Sequence, residues 1–242
     1  MFKNWKKFSY ADKKSHIKRA KIFALKAVFI IFVYILFTQV FFIMTVMGNS
    51  SMQPSINSGD RFVFSTFSFW KLSSVRSSQK SFPFKYGDIV MVNLENKKEN
   101  FLVKTVDKLF RFFTVGKIGF PGKKDRIFIK RIIGLPGDEI SMTNYVMMVR
   151  PSGNSHTVTE YELSGKQFYK INLPQDIPAS WDKSIPFSGN MSKITLNEGE
   201  CFVLSDDRSN TNDSRTWGPL SVYTITGKAL LRYWPPNKIG IQ

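Results

Sequence analysis

The stretch Gly48-Asn49-Ser50-Ser51-Met52-Gln53-Pro54-Ser55 marks the point where the chain changes character. Before it, Ala27 to Met47 is a run of 21 residues that is rich in Phe, Ile, Val, Leu and Met and carries no charge. A helix rises about 1.5 Å per residue, so the run predicts a helix about 30 Å long, enough to cross a bilayer core. Ser51 is therefore a candidate nucleophile at a membrane surface, although most serines in turns only bend or cap the chain.

The distribution of charge predicts how such a span is oriented. The 242-residue chain has a net charge of +17, and residues 1–26 hold nine basic residues against one acidic residue. A basic flank of this kind stays on the cytoplasmic side, so the remainder of the chain is predicted to lie outside. The same flank attracts anionic membrane lipids. We favour this interpretation of the charge over nucleic-acid binding.

Cysteine and histidine are too scarce to support several kinds of site. Cys201 is the only cysteine, which excludes an intramolecular disulfide and a multi-cysteine metal site. Two histidines, His16 and His156, are too few for a histidine-rich metal site. The sequence therefore implies neither a metal nor an organic cofactor. The apolar run is also too long for a typical cleaved leader, so we expect a retained anchor.

After the apolar run, turn residues alternate with short β-forming segments. Strands are predicted within 59–64, 86–92, 125–133, 201–204 and 222–233, with a tight turn at 134–138. Residues 101–113 predict a basic amphipathic helix, which either packs on the core or lies in the membrane interface. The polar stretch 141–200 has short β-like runs and predicts an inserted β subdomain.

Lys130 is unusual because its neighbours, Ile127 to Ile129 and Ile132 to Ile133, are apolar. If the side chain is buried, desolvation lowers the pKa of the amine and makes a neutral base available near pH 7. A neutral lysine can activate a serine nucleophile. The alternative is an ordinary strand lysine that faces solvent, and the spacing alone favours that alternative.

Four short blocks, read together, resemble a known family of enzymes. In chain order they are Ser51-Met52-Gln53-Pro54, Gly87-Asp88-Ile89-Val90, Lys130 to Asp138, and Ser205 to Gly218, followed by Gly227-Lys228-Ala229 and Trp234-Pro235-Pro236. In this order behind an apolar run, they resemble the type I signal peptidases. The resemblance is vague in 65–85, 95–125 and 141–200.

The resemblance implies a Ser/Lys dyad. Ser51 would attack the scissile carbonyl, and neutral Lys130 would take its proton, pass it to the leaving amine and then activate the deacylating water. Thr211 stands where the family has a hydroxyl residue that orients the lysine. The backbone N–H of Ser51 and the side chain of Asn49 match the family's two oxyanion donors.

The last block also matches a supporting charged pair of the family, Asp213 and Arg215. Elsewhere the block departs from the family pattern. Ser205 stands where Gly is usual, beside the lysine, and puts the tuning of the lysine pKa in doubt. Asp207 replaces a usual Asn, and Ser209 a usual Asp.

Two further positions concern the nucleophile block. Ser55 stands where the family commonly has Thr, which is a small change. Ser50 is a rival nucleophile, but the family pattern favours the serine directly before Met52.

The predicted fold is mainly β, with one N-terminal transmembrane helix, an antiparallel β catalytic domain and an inserted smaller β subdomain. The predicted segments are a basic cytoplasmic tail at 1–26, an anchor at 27–47, a catalytic domain at 48–140 and 201–242, and the subdomain at 141–200. The predicted function is a serine endopeptidase of the cytoplasmic membrane. Its substrates are preproteins with signal peptides that have small residues at −1 and −3 and bind in extended form along a strand edge.

Three alternatives remain. The first is an inactive family member that serves as a membrane-anchored binding or scaffolding protein. The second is a self-cleaving Ser/Lys regulator, for which residues 1–26 offer no DNA-binding module. The third is a plain anchored surface protein, which leaves the ordered blocks unexplained.

Overall fold

The computed structural model describes residues 10–66, 83–94, 127–165, 170–174 and 189–241. The amphipathic helix predicted at 101–113 lies outside these residues. The chain divides into two compact units, 1–40 and 41–242, and each is described by itself.

In the first unit the structure describes one long helix, and the predicted end of this helix is wrong. Helix α1 spans Tyr10–Phe41, and Phe42–Val46 then forms strand β1 instead of continuing the predicted helix to residue 47. Strand β1 pairs antiparallel with β2, Arg61–Thr66. The periodicity of a continuous apolar run does not distinguish a buried helix from a strand, and here the pairing with β2 decides between them. Among the residues whose side chains are described, no helix is long and apolar enough to cross a membrane.

The main sheet of the second unit is antiparallel. Within the described residues its order is β1-β2-β11-β3-β4-β9-β10, with β12 paired to β11. Its further strands are β3 Ile89–Asn93, β4 Ile127–Gly134, β9 Glu200–Leu204, β10 Leu220–Ser221, β11 Ile225–Trp234 and β12 Gly240–Ile241.

A second antiparallel sheet has the order β7-β6-β5-β8 in the described part of the chain. Its strands are β5 Glu139–Thr143, β6 Val146–Arg150, β7 Val158–Thr159 and β8 Met191–Thr195. Helix α2, Glu160–Ser164, follows β7 and is capped by Thr159, whose side chain accepts from the backbone of Glu162. The prediction of a mainly β, antiparallel fold is confirmed. The boundaries of the subdomain at 141–200 stay a prediction.

Two predicted segments near the C-terminus differ in detail from the structure. Val222–Thr224 forms a 3₁₀ turn, so the last long strand begins three residues later than predicted. Ser214–Trp217 forms a short helix, α3, inside the segment predicted as a loop. Asp213 caps α3 by accepting from the backbone N–H of Arg215. The sequence does not single out Asp213 as a cap, because many polar residues surround it.

Apolar packing anchors the loop that carries Ser51. Met52 and Ile56 are buried in one core cluster with Phe62, Phe64 and Met91. Burying a side chain of this size contributes about 1.5–3 kcal/mol. The serine loop is therefore tied to the main sheet directly after Ser51.

A buried ion pair joins the segment after β9 to α2. Arg208 Nη2 lies 2.6 Å from Glu160 Oε2, and both side chains are almost completely buried. Arg208 Nη1 donates to the carbonyl of Tyr145, and Glu160 Oε1 accepts from the backbone N–H of Met147. Arg208 thus ties the segment after β9 to the second sheet.

We expect Glu160→Ala to lower the free energy of unfolding by about 3–5 kcal/mol, because it leaves the Arg208 guanidinium buried without its charge partner. Urea denaturation measures the change. Glu162→Ala in the same helix is the control, since Glu162 is exposed and its loss removes only part of a cap, worth about 1 kcal/mol. Equal losses for the two variants would contradict the prediction.

Candidate active site

Ser51 is held in a turn with little freedom. Its side chain is buried, at 2% exposure, and the adjacent Met52 is inserted in the core. The Ser51 backbone N–H and hydroxyl both donate to Asn49 Oδ1, at 3.1 and 2.9 Å. Ser50, by contrast, is exposed, and its carbonyl accepts from the backbone N–H of Gln53. Of the two serines, only Ser51 is built into the interior.

Lys130 lies in the middle of β4, opposite Val90 of β3, and is 1% exposed. The buried alternative predicted for this lysine is therefore correct, and the solvent-facing one is wrong. Its Nζ donates to Ser205 Oγ at 2.7 Å and lies 6.0 Å from the ring centre of Trp217. Phe128, on the same face of the strand as Lys130, contacts the same ring, at 4.9 Å between centroids. The amine thus bonds to one hydroxyl and lies near an aromatic ring.

Burial has the expected electrostatic effect on this lysine. Desolvation lowers the pKa of Lys130 from 10.5 to about 8, against the opposing attraction of Asp213 and with a smaller contribution from Arg215. With this pKa, about a tenth of the amine is neutral at pH 7. A neutral amine can accept a proton, as a general base requires.

The lowered pKa also makes stability depend on pH. Between the folded pKa near 8 and the unfolded value of 10.5, the unfolded chain binds more protons at Lys130, so stability rises with pH through this window. We expect the unfolding free energy of the wild type, relative to Lys130→Met, to rise by about 3 kcal/mol from pH 8 to 10.5. Denaturation of both proteins across this range measures the difference. A constant difference would contradict the prediction.

The segment after β9 is stiffened by the predicted charged pair. Asp213 and Arg215 are buried and share two hydrogen bonds, Nε to Oδ1 at 2.9 Å and Nη2 to Oδ2 at 2.8 Å. Burial alone would raise the pKa of Asp213, but its bonds with Arg215 and with the Ser205 N–H hold that pKa below its usual range. Arg215 also donates to the carbonyls of Arg208 and Asn210. The pair therefore fixes the backbone on both sides of it.

Backbone contacts bring Ser51 to the same segment. The Asp207 N–H donates to the Ser51 carbonyl at 3.1 Å, and Asp207 is two residues beyond the serine that binds Lys130. Within the described residues, no hydrogen bond joins the Ser51 hydroxyl to the Lys130 amine. Such bonds often form only when substrate is bound. Ser51 and Lys130 therefore each bond to the segment after β9, at residues two positions apart.

The second block supports the lysine strand. The Gly87 carbonyl accepts from Arg131 Nη1 at 2.8 Å, and Arg131 makes a two-point ion pair with Asp206. Gly87 itself has a φ of +80°, a conformation that side chains disfavour. Asp88 pairs with Lys228 at 2.6 Å, which connects this block with β11. Asp206 was not predicted as a site residue, although Arg131, which is buried beside Lys130, requires an acidic partner.

Thr211 and Asn49 make hydrogen bonds other than those that their predicted roles require. The Thr211 carbonyl accepts from Thr216 Oγ1 and the Asp213 N–H, while the hydroxyl next to the lysine belongs to Ser205. Asn49 Oδ1 accepts from Ser51, so the asparagine serves here as an acceptor. Their predicted roles, an orienting hydroxyl and an oxyanion donor, stay predictions.

Two of the departures from the family pattern contact each other. The Ser209 hydroxyl and N–H both donate to Asp207 Oδ1, at 2.6 and 3.1 Å. Asn172 donates to the same oxygen through its side chain, and its backbone pairs with Asp206 and Arg208. Asp207 and Ser209 are therefore joined by hydrogen bonds across the turn.

Known signal peptidases are similar to this chain. The family described as signal peptidase, peptidase S26, matches residues 21–234. The chain is 32% identical over 115 residues to thylakoidal processing peptidase 1, chloroplastic, of Arabidopsis thaliana, covering 47% of this chain and 26% of that protein. It is 29% identical over 116 residues to signal peptidase IB of Staphylococcus aureus, covering 48% of this chain and 58% of that protein. The matched segments thus span about a quarter of the plant relative and somewhat over half of the bacterial one.

Proposed function

Since the chain belongs to the signal peptidase family, peptidase S26, we propose that it is a membrane-attached serine endopeptidase that removes signal peptides from exported preproteins. The resemblance to signal peptidases found in the sequence is confirmed at the level of the family. One observation carries the proposed activity: a lysine with 1% exposure and a pKa near 8 bonds to Ser205, in the segment whose Asp207 N–H donates to the Ser51 carbonyl.

In the proposed reaction, neutral Lys130 takes the proton of the Ser51 hydroxyl as Oγ attacks the scissile carbonyl. The resulting lysine ammonium gives that proton to the leaving amine as the peptide bond breaks, which leaves an acyl ester on Ser51. Lys130 then takes a proton from water, and the hydroxide attacks the ester. The acid product leaves, and Ser51 recovers its proton from Lys130. No step uses a metal or an organic cofactor.

For the tetrahedral intermediate, we propose the Ser51 N–H as one donor and Asn49 as the second. In the structure that N–H is bonded to Asn49 Oδ1. Rotation of the exposed Asn49 amide away from Ser51 frees the N–H and presents Nδ2 to the oxyanion. This rearrangement accompanies the entry of substrate.

We further propose that the N-terminal segment attaches the protein to the cytoplasmic membrane, with residues 1–26 on the cytoplasmic side and the β unit outside. The support is the uncharged run from Ala27 together with the exposure of apolar side chains along α1, such as Phe23, Leu25 and Ile30. The basic tail meets anionic lipid. Extraction of membranes with alkaline carbonate tests the attachment: the full chain should stay in the pellet, and a chain without residues 1–41 should be released.

In the proposed domain arrangement, 48–140 and 201–242 form the catalytic domain and 141–200 an inserted β subdomain. The partners are preproteins with small residues at −1 and −3 of the cleavage site. Nucleic acid is not a partner in this proposal.

The decisive experiment is cleavage of a synthetic preprotein by the full chain in detergent or lipid. We expect one cut after a small-x-small sequence, and no cut when the residue at −1 is changed to a bulky one. Failure of a folded wild-type preparation to cleave several preproteins would favour the inactive, binding or scaffolding alternative.

A further inference from the structure

We propose that Ser205, rather than Thr211, is the residue that positions the amine of Lys130 in this chain, an inference that rests on the proposed function. Its basis is geometric. The Lys130 amine donates to Ser205 Oγ at 2.7 Å, and both side chains are almost completely buried. Ser205 has no exposed surface, and its hydroxyl contacts the Lys130 amine. It acts through Lys130, as a positioning residue.

The backbone of Ser205 is held in place. The serine follows β9 directly, and its N–H donates to Asp213 Oδ2 at 2.9 Å. Asp213 is in turn locked by its two bonds to Arg215. The residue that accepts from the Lys130 amine is therefore fixed in position, whereas a hydroxyl on a flexible surface segment would not be.

Thr211 lacks this geometry. It is only half-buried, and its contacts run through its backbone carbonyl, to Thr216 and Asp213. Within the described residues, the Thr211 hydroxyl makes no bond to Lys130. The serine at the place where the family usually has glycine supplies the hydroxyl instead.

The bond to Ser205 has a chemical consequence for the amine. A neutral amine has two N–H groups and one lone pair, and the bond to Ser205 uses one N–H and fixes the rotation about Cε–Nζ. The lone pair is then free for the nucleophile. The charged groups that act on the amine are Asp213, Arg215, Asp206 and Asp207, and the ring of Trp217 lies beside it. The Ser205 hydroxyl is a neutral acceptor. The amine therefore bonds to a hydroxyl instead of a carboxylate.

The test is the pH dependence of kcat and KM for preprotein cleavage by the full chain carrying Ser205→Ala. We expect the alkaline plateau of kcat to fall about 10- to 100-fold with KM within about twofold. The midpoint of the rising limb should move to lower pH, because the ammonium loses an acceptor that stabilised it. At a given pH, a lower midpoint means that more of the amine is neutral. A lower plateau of kcat therefore reports a misoriented amine and not a protonated one.

Ser214→Ala is the matched control. Ser214 is a buried hydroxyl in the same segment, but it accepts from the Val203 N–H and does not touch the lysine. It should lower stability and leave the midpoint in place. Thr211→Ala is the competing variant, and a larger loss of kcat from Thr211→Ala than from Ser205→Ala would overturn the inference. If Ser205→Ala fails to fold, Ser205→Gly, which introduces the residue usual in the family, takes its place.

A second readout does not depend on activity. Titration of the Lys130 amine by NMR on ¹⁵N-lysine-labelled protein, assigned with Lys130→Met, should give a lower pKa in Ser205→Ala than in the wild type. An unchanged pKa and an unchanged plateau would overturn the inference while wild-type cleavage leaves the proposed function standing. If the wild type does not cleave, the proposed function fails, and the NMR titration alone decides whether Ser205 holds the amine.

Discussion

Replacement of Ser51 by alanine is expected to lower kcat/KM for preprotein cleavage by about 10⁴-fold or more, while Ser50→Ala stays within about threefold of the wild type. Ser51 is the covalent nucleophile in the proposed reaction, and losses of this size follow removal of a nucleophile. The two serines are adjacent, which makes them a matched pair. Ser51 is buried and bonded to Asn49 through N–H and hydroxyl, whereas Ser50 is exposed in the turn.

Cleavage of a fluorogenic preprotein segment, followed in detergent, measures both variants. Thermal unfolding serves as the folding control, because Ser51→Ala removes only one hydroxyl and leaves Met52 in the core. Activity retained by Ser51→Ala but lost by Ser50→Ala would reverse the assignment of the nucleophile. Activity retained by both would exclude the serine mechanism.

Much of the β architecture could be predicted from the sequence, because each predicted strand carried local signals. The pattern Gly87-Asp88 followed by Ile89 to Val92 gives a turn and a strand in both the sequence and the structure. The end of α1 could not be predicted in this way. Phe42 to Val46 continues the apolar run that precedes it, and the local pattern does not reveal its pairing with Arg61–Thr66.

In the candidate site, too, local sequence signals predict only the part that does not depend on contacts between distant segments. Burial of Lys130 was one of two predicted alternatives, and the choice depended on β9 and Trp217, which come from distant parts of the sequence. The hydroxyl predicted to orient the lysine is that of Thr211, whereas in the structure the amine bonds to Ser205. Both residues carry a hydroxyl, and only the backbone path after β9 separates them. The Arg208–Glu160 ion pair was missed for the same reason.

Replacement of Lys130 by methionine is expected to lower kcat/KM by about 10⁴-fold or more, because Lys130 is the proposed acceptor of the Ser51 proton. Methionine has a similar length and no charge, so the fold should persist, and below pH 8 it should be at least as stable as the wild type. Lys193→Met is the control, since Lys193 is an exposed strand lysine on the second sheet and should keep full activity. The double variant Ser51→Ala/Lys130→Met provides the stricter test. If the two residues act in one proton transfer, the double variant loses no more than either single variant, whereas losses that multiply would show that Lys130 acts independently of Ser51.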